Sequence, residues 1–431
     1  MDARAIAISV PLFFLLIAVE ILVTRRRHQR AFAFHDSIGS LSCGVGQQAI
    51  GLVTAAAKAG GYALVYERFH VLEISPRSPV AWLALLLGVD LAYYVYHRAS
   101  HRVSFLWATH AVHHQSEEYN LTTALRQSWF TGFTAWIFYL PLAILGFPTG
   151  MFVLMYTLNT LYQFWIHTRA VGRIGLFEAF LNTPSHHRVH HGIDPAYIDR
   201  NYAGIFIVWD RLFDTFAPEG REPVYGTVEP LASFNPFRAN VEPWVKIVAL
   251  ARQTRRLRDK VWLFFAPPEW RPADLGGSVV IPEVSRGSQR KYETVAPRGL
   301  DAYVGVTFAL VVIGTTALLA FEEALDASGQ ILAAASILFG LLTPGALVEG
   351  RRWAVAVEWL RLGLLIPLAA WIARGSPVQI GVVAGVSAAA LGLAIWIRIY
   401  RSRRPEEAIS LPLDRSPLTT STASTASATV T

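Results

Sequence analysis

Residues 80–101 read VAWLALLLGVDLAYYVYHRASH, an apolar run that passes without a break into His97-Arg98-Ala99-Ser100-His101. The run from Val80 to Tyr96 approaches the roughly 20 residues a helix needs to cross a bilayer. Residues three or four apart share a helix face, so His97 and His101 aim their rings at one point. Two more boxes follow, His110-x2-His113-His114 and His187-x2-His190-His191, and the three boxes take eight of the thirteen histidines. Eight imidazoles exceed what one tetrahedral ion can use, and imidazole suits iron, zinc and copper alike. The expectation is a two-metal centre at the end of a membrane span.

Composition fits that setting. With 53% hydrophobic residues and a mean hydropathy of +0.36, the chain reads as one polytopic membrane body, not as a string of soluble domains. The net charge is +7, but the arginines adjoin the apolar runs and form no basic face. They read as topology signals, and a nucleic-acid partner is excluded. A single cysteine, Cys43, rules out disulfides within the chain and cysteine-ligated zinc, and reads as a small buried hydrophobe.

The run Ala5 to Val23 ends on Arg25-Arg26-Arg27. A signal peptide puts its charge first, so this is an anchor with the N-terminus outside. A weaker Gly- and Ala-rich segment, Leu41 to Val65, leads outward and Val80 to Tyr96 leads back. Trp129 to Gly146 crosses or dips as a hairpin, with Pro148 near the turn, and Phe152 to Ile166 returns. The more polar stretch Thr168 to Arg298 is cytoplasmic, and four spans follow: Ala302 to Phe321, Ile331 to Val348, Trp353 to Ala373 and Val378 to Ile397. Arg351, Arg352, Arg398, Arg401, Arg403 and Arg404 then fall on the interior side. Under this single topology the three boxes and His167 meet at one membrane face. The chain has no internal repeat, and its Ser-, Thr-, Ala- and Pro-rich end reads as disordered.

The expected fold is therefore an all-α polytopic membrane protein with about nine transmembrane helices and a cytoplasmic histidine-rich helical cap holding a dimetal site. Its expected divisions are N-terminal transmembrane segments (1–78), a catalytic region of spans plus cap (79–298), a four-helix transmembrane region (299–401) and a disordered tail (402–431).

The remaining histidines separate by context. His28, His35 and His70 stand alone and read as surface or hydrogen-bonded residues. His167, in Trp165-Ile166-His167-Thr168 at the cytoplasmic end of a span, is placed to be a ninth ligand. His186 adjoins a box out of register and suits a supporting role behind the ligands. A metal-buffering loop would carry loose histidine repeats, and these boxes keep helical spacing.

The text around the boxes carries a resemblance. His97 to His114, Tyr119-Asn120-Leu121-Thr122-Thr123-Ala124-Leu125-Arg126-Gln127-Ser128, Asn182-Thr183-Pro184-Ser185-His186 through Gly192, Asp199-Arg200-Asn201-Tyr202-Ala203-Gly204 and Trp209-Asp210-Arg211 resemble the fatty acid hydroxylase (sterol desaturase) superfamily. Among its branches the chain is most similar to the alkylglycerol monooxygenases. The resemblance covers roughly Asp90 to Gly226 and implies two iron ions on His97, His101, His110, His113, His114, His187, His190 and His191, with His167 as the ninth ligand. It implies dioxygen-dependent attack on a lipid C–H bond, in this branch on the carbon beside an ether oxygen, and an external electron donor, tetrahydrobiopterin. Redox-inert zinc cannot provide such an oxidant, whereas nitrogen-ligated iron can. One position departs: the animal enzymes have an acid after the second histidine of the first box, and here that residue is Arg102.

Glu117, Glu118, Asp194 and Asp199 are the acids placed to balance metal charge. Tyr93, Tyr94, Tyr96, Trp107, Tyr119, Tyr162, Phe164 and Trp165 could wall a lipid channel, and Arg126 and Gln127 could orient a head group. Asn201, Tyr202, Trp209 and Asp210 suit fixing the third box. No pterin, flavin or haem motif is present, so a separate electron-donor system is expected. Competing readings are a sterol or fatty acyl desaturase, a membrane metal-binding or transport protein, and an inactive scaffold. Four lysines against 34 arginines suggest a GC-rich genome and a bacterial inner membrane, with the endoplasmic reticulum as the eukaryotic equivalent.

Overall fold

The computed structural model describes residues 3–287, 289–297 and 299–402, so the expected tail lies, past its first residue, outside the described residues. Among the described residues there is no strand, only isolated antiparallel bridges between Leu181 and Phe206 and between Gly192 and Tyr225. The N-terminal half contains α1 (Ala3–Arg26), α2 (Phe34–Phe69), α3 (Pro79–Arg102), α4 (Ser104–His114) and α5 (Leu121–Ala124). A broken hairpin limb of α6 (Thr131–Thr134), a 3-10 turn (Ala135–Tyr139) and α7 (Leu140–Leu145) leads into α8 (Thr149–Trp165). The more polar stretch between α8 and the last four helices contributes α9 (Pro184–His190), α10 (Val208–Leu212), α11 (Pro236–Gln253) and α12 (Leu257–Trp262). Four long helices close the chain: α13 (Leu300–Ala320), α14 (Ala327–Val348), α15 (Ala354–Ile372) and α16 (Gln379–Ser402).

Six of these, α1, α3, α13, α14, α15 and α16, are long and apolar enough to cross a membrane. This is an integral membrane protein. The other three expected crossings fall short for local reasons. α2 is long but carries Ser37, Ser40, Ser42, Gln47 and Gln48, the hairpin limb is broken by its 3-10 turn, and α8 has only 17 residues.

The polar face of α2 positions the site. A Cβ on Gly44 would come 2.2 Å from the Leu125 carbonyl oxygen, and one on Gly46 would come 2.4 Å from the Trp129 indole nitrogen. Only glycine lets α5 and its following loop approach so closely. The Trp129 indole then donates to the Cys43 carbonyl at 3.0 Å. Gly146, at φ +106°, turns the hairpin beside Leu72.

One apolar core lies between α1, α2 and the C-terminal helices, around Tyr303, Leu341 and Leu347, and another lies between α2, α3, the hairpin and α8, around Tyr62, Leu85 and Met155. Glu358 and Arg361, both buried, pair at 2.5 Å inside α15. Tyr303 of α13 and Thr343 of α14 each donate to Glu358 at 2.6 Å, so three helices share a fully bonded ion pair. The end of α14 grips the segment before α11, where Glu349 accepts from Ser233 Oγ at 2.6 Å and from the Phe234 amide at 2.7 Å.

Candidate metal centre

The last two turns of α3 carry His97 and His101. A single extended residue, Val103, separates α3 from α4, which carries His110, His113 and His114. α9 starts on Pro184, whose fixed φ suits a first turn, and delivers His187 and His190 with His191 at its C-cap. His167 follows the end of α8. All nine rings are buried. They form a group of five (His97, His101, His110, His114, His190) and a group of four (His113, His167, His187, His191), with donor nitrogens within 4.8 Å of one another in each. The second and third boxes therefore do not each aim at one point as the spacing suggested. Each is split, because the i,i+4 pairs His110/His114 and His187/His191 go to different groups while His113 and His190 cross over.

Backbone carbonyls set the ring orientations. Nδ1 of His97 lies 2.7 Å from Tyr202 O, His113 3.0 Å from Arg126 O, His167 2.7 Å from Gln163 O and His190 2.9 Å from Arg200 O. A carbonyl only accepts, so each Nδ1 carries the proton and each Nε2 presents a lone pair. Those lone pairs converge: Nε2 of His97 and His114 lie 3.0 and 3.1 Å from His110 Nε2, and Nε2 of His113 and His187 lie 3.1 and 3.0 Å from His167 Nε2. Nε2 of His101, His190 and His191 has no hydrogen-bond partner. Buried nitrogens without proton partners are costly unless something else binds them, and neutral imidazoles facing one another are the donor set of a transition-metal ion. The residues fit such ions. Burial holds His110, His114, His167, His187, His190 and His191 well below the usual histidine range, helped by the neighbouring rings, and lowers His113 to about 4.

Around the rings runs a polar frame. Asp210 accepts from the amides of Tyr202 and Ala203, both at 2.8 Å, and so holds the carbonyl that orients His97. Asn201, in the left-handed region at φ +56°, donates to the carbonyls of His186 and Ala217. Trp209 donates to Asp90 instead of to a box. Asp90, fully buried in α3, also accepts from Asn159 and from the amides of Ile205 and Phe206, at 2.7 to 2.9 Å. Sequence reasoning passed over Asp90, although a lone acid inside an apolar span was the available signal.

Of the four candidate acids only Asp199 pairs with a ring, lying 3.6 Å from His101 Nδ1. Arg102 pairs with the same carboxylate and with Glu269 at 3.3 Å. Burial pushes Asp199 up, but contacts with His101 and Arg102 outweigh it and hold the carboxyl below the usual range. The other three are engaged elsewhere: Glu117 with the Tyr292 amide, Glu118 with Lys291, and Asp194 with Arg221 and Val224. Arg126 is buried against the Val112 carbonyl and Gln115, so it serves the site through its own carbonyl on His113. Gln127 lies 3.5 Å from His113 Nδ1.

Three of the eight aromatics touch the rings: Tyr93 packs on His97, Trp107 on His101 and His114, and Tyr119 on His167 and His191. The other five pack elsewhere: Tyr94 on Phe213, Tyr96 on Phe138, Tyr162 on Trp165 and Phe164 on Phe13. His186 faces Phe216 and joins neither group, and burial lowers it to about 4. His35 pairs with Asp301 and His70 with Glu73, while His28 is exposed. A cavity of about 290 Å³ ends on His101, His114, His190 and His191. Its walls include Trp107, Leu231, Ile247, Leu250, Leu263 and Ile281, a mainly apolar lining that suits a hydrocarbon chain, with charged residues such as Arg102, Glu242 and Lys246 also on it.

Residues 82–215 match the family described as fatty acid hydroxylase. The chain is 38% identical over 336 residues to alkylglycerol monooxygenase of Danio rerio, covering 78% of this chain and 75% of that one. It is 35% identical over 363 residues to alkylglycerol monooxygenase of Homo sapiens, covering 84% and 81%. A shorter match, 28% over 132 residues, is to ornithine lipid hydroxylase OlsE of Rhizobium tropici, covering 30% and 40%. No solved structure gives a significant match. This chain belongs to the fatty acid hydroxylase family. It is a membrane-bound oxidoreductase, a lipid hydroxylase of the monooxygenase type, with histidine groups compatible with iron.

Proposed function

We propose that the five-histidine and four-histidine groups each hold one iron, and that the enzyme hydroxylates the ether-adjacent carbon of an alkylglycerol. The observation that carries this reading is the apolar cavity ending on two buried, nitrogen-only donor groups. The alkylglycerol monooxygenase relatives support the substrate. The bound irons supply dioxygen activation, which uses two external electrons to place one oxygen atom in the C–H bond and release the other as water. The hydroxylated ether is a hemiacetal, which collapses to a fatty aldehyde and glycerol.

The chain's residues supply position and dryness. Backbone carbonyls keep the Nδ1 protons of His97, His113, His167 and His190 in place, leaving Nε2 free to bind. Leu231, Ile247 and Leu250 exclude water along the chain, with Trp107 beside the rings. Asp199 supplies negative charge beside His101, tempered by Arg102. The electrons come from a separate donor, tetrahydrobiopterin by analogy with the ether-lipid branch.

The same reading takes α2, the hairpin limb and α8 as three further crossings, making nine, with the catalytic region at 79–298 and the four-helix region at 299–401. The arginines at Arg25, Arg26, Arg27, Arg351 and Arg352 support a cytoplasmic site. A bacterial inner membrane follows from the arginine bias. The test is anaerobic and aerobic incubation of the iron-loaded protein with an alkylglycerol and tetrahydrobiopterin. Aldehyde formed only with oxygen, and two irons per chain, are expected. A desaturated product, or one metal per chain, would sink the proposal.

A further inference from the structure

α11 has two faces of different character. Its inner face, with Glu242, Pro243, Lys246, Ile247 and Leu250, lines the cavity above the histidines. On the opposite side Val241, Val245 and Val248 recur at helical spacing, exposed at 49%, 56% and 38%. α12 continues this surface with exposed Leu257, Val261, Trp262 and, just beyond it, Phe265. Both helices gather around Phe105, itself exposed: the Trp244 ring lies 5.1 Å from it, and its amide donates to the Phe264 carbonyl at 2.9 Å. Trp244 also packs on Phe130, next to the apolar hairpin Thr131–Leu145 and its exposed Phe133. Exposed apolar residues thus extend from these two helices to the hairpin, joined through Trp244, Phe105 and Phe130.

Cations accompany it. Arg252, Arg255, Arg256, Arg258 and Lys260 stand within nine residues of chain that contain one acid, Asp259. Among the described residues none of these five side chains pairs with a carboxylate, whereas Lys246 on the inner face pairs with both Glu229 and Glu242. An apolar row bordered by basic side chains on a helix beside a membrane body matches an anionic lipid surface in both respects.

We propose that α11 and α12 lie on the bilayer, with their valine and aromatic row in the head-group boundary and their arginines on anionic phospholipid. α11 is then a partition one helix thick between the leaflet and the cavity, and a lipid leaving the leaflet beside it enters facing His101 and His114. The docking does not depend on which reaction the site performs.

The test uses the full-length protein in nanodiscs of phosphatidylcholine with phosphatidylglycerol. A nitroxide on Val245→Cys is compared with one on Leu15→Cys, an exposed position within α1; the native Cys43 is fully buried. The Val245 label should collide with oxygen more often than with a nickel chelate, as the Leu15 label does. In the triple variant Arg255→Gln, Arg256→Gln, Arg258→Gln, phosphatidylglycerol enrichment around the protein should fall, by up to roughly fivefold for each cation removed. Nickel-dominated collisions at Val245 would overturn the proposal. So would unchanged lipid enrichment in the triple variant, or a Val245 label protected equally in lipid-free detergent by a bound protein.

Discussion

The two histidine groups share α4 and α9, the larger adding His97 and His101 of α3 and the smaller His167 after α8, yet they meet their surroundings differently. Three rings of the five-histidine group, those of His101, His114 and His190, face the cavity, and it is this group that has the carboxylate Asp199 and the cation Arg102 beside it. The four-histidine group presents only His191 to the cavity. Of its other rings, His167 packs on Tyr119 and meets the Gln163 carbonyl, and His113 meets the Arg126 carbonyl. One group is open and has charged neighbours, and the other is closed, while two rings of each are held by backbone carbonyls. On the proposed function, substrate meets the first, and the second is the shielded half of the centre.

The strongest way to break that comparison is to remove one ring from each group. His190→Ala should lower the iron content from two to one and reduce turnover by well over the roughly hundredfold that loss of a supporting partner costs. His187→Ala should cost as much while emptying the closed group, as read by metal analysis and oxygen uptake. Full activity in either variant would show that the rings do not act as one centre. Asp199→Asn sharpens the contrast. It should weaken metal retention or turnover by about 10- to 100-fold through the open group, leaving the closed group loaded. Equal metal loss from both groups would remove the distinction.

This difference marks where the sequence stopped being readable. Helical spacing singled out eight of the nine histidines that lie together and left His186 outside them, since spacing follows from the geometry of one helix, whereas His167 was picked out by its place at the end of a span. How the boxes divide depends on the angle at which α4 and α9 dock against α3, which no local pattern encodes. The carbonyls on His97, His113 and His190 belong to residues 13, 10 or over 100 positions away, and a carbonyl has no residue signature. The six long apolar spans were legible because hydrophobicity is additive along a helix. α2 was read as weak because its glycines serve close contacts with Leu125 and Trp129, not lipid. Arg102, read as a charge reversal beside the metals, is the partner of Asp199.

A smaller effect is expected at a wall of the cavity that carries no histidine. Leu250→Trp adds bulk to the lining it shares with Leu231 and Leu263, so it should raise KM for a long-chain substrate by about tenfold and leave iron content unchanged. A change in kcat alone would place substrate elsewhere.

The smallest effect comes from acid and tests both groups at once. Burial keeps His110, His114, His167, His187, His190 and His191 neutral in the folded protein, with His113 lowered to about 4, whereas the unfolded chain takes up protons near pH 6.5. The unfolded state therefore binds more protons as pH falls below that value, and folding stability, complete above it, declines toward pH 4. For His113 alone the loss at pH 5.5 is about 1 kcal/mol. Protein stripped by a chelator should melt progressively earlier between pH 7 and 5. Iron-loaded protein should resist until protons compete the metal away. Because three rings of the open group line the cavity, that group should release its iron first, giving two steps in metal content against pH. A single step would mean that the two groups hold their ions equally, whatever their exposure.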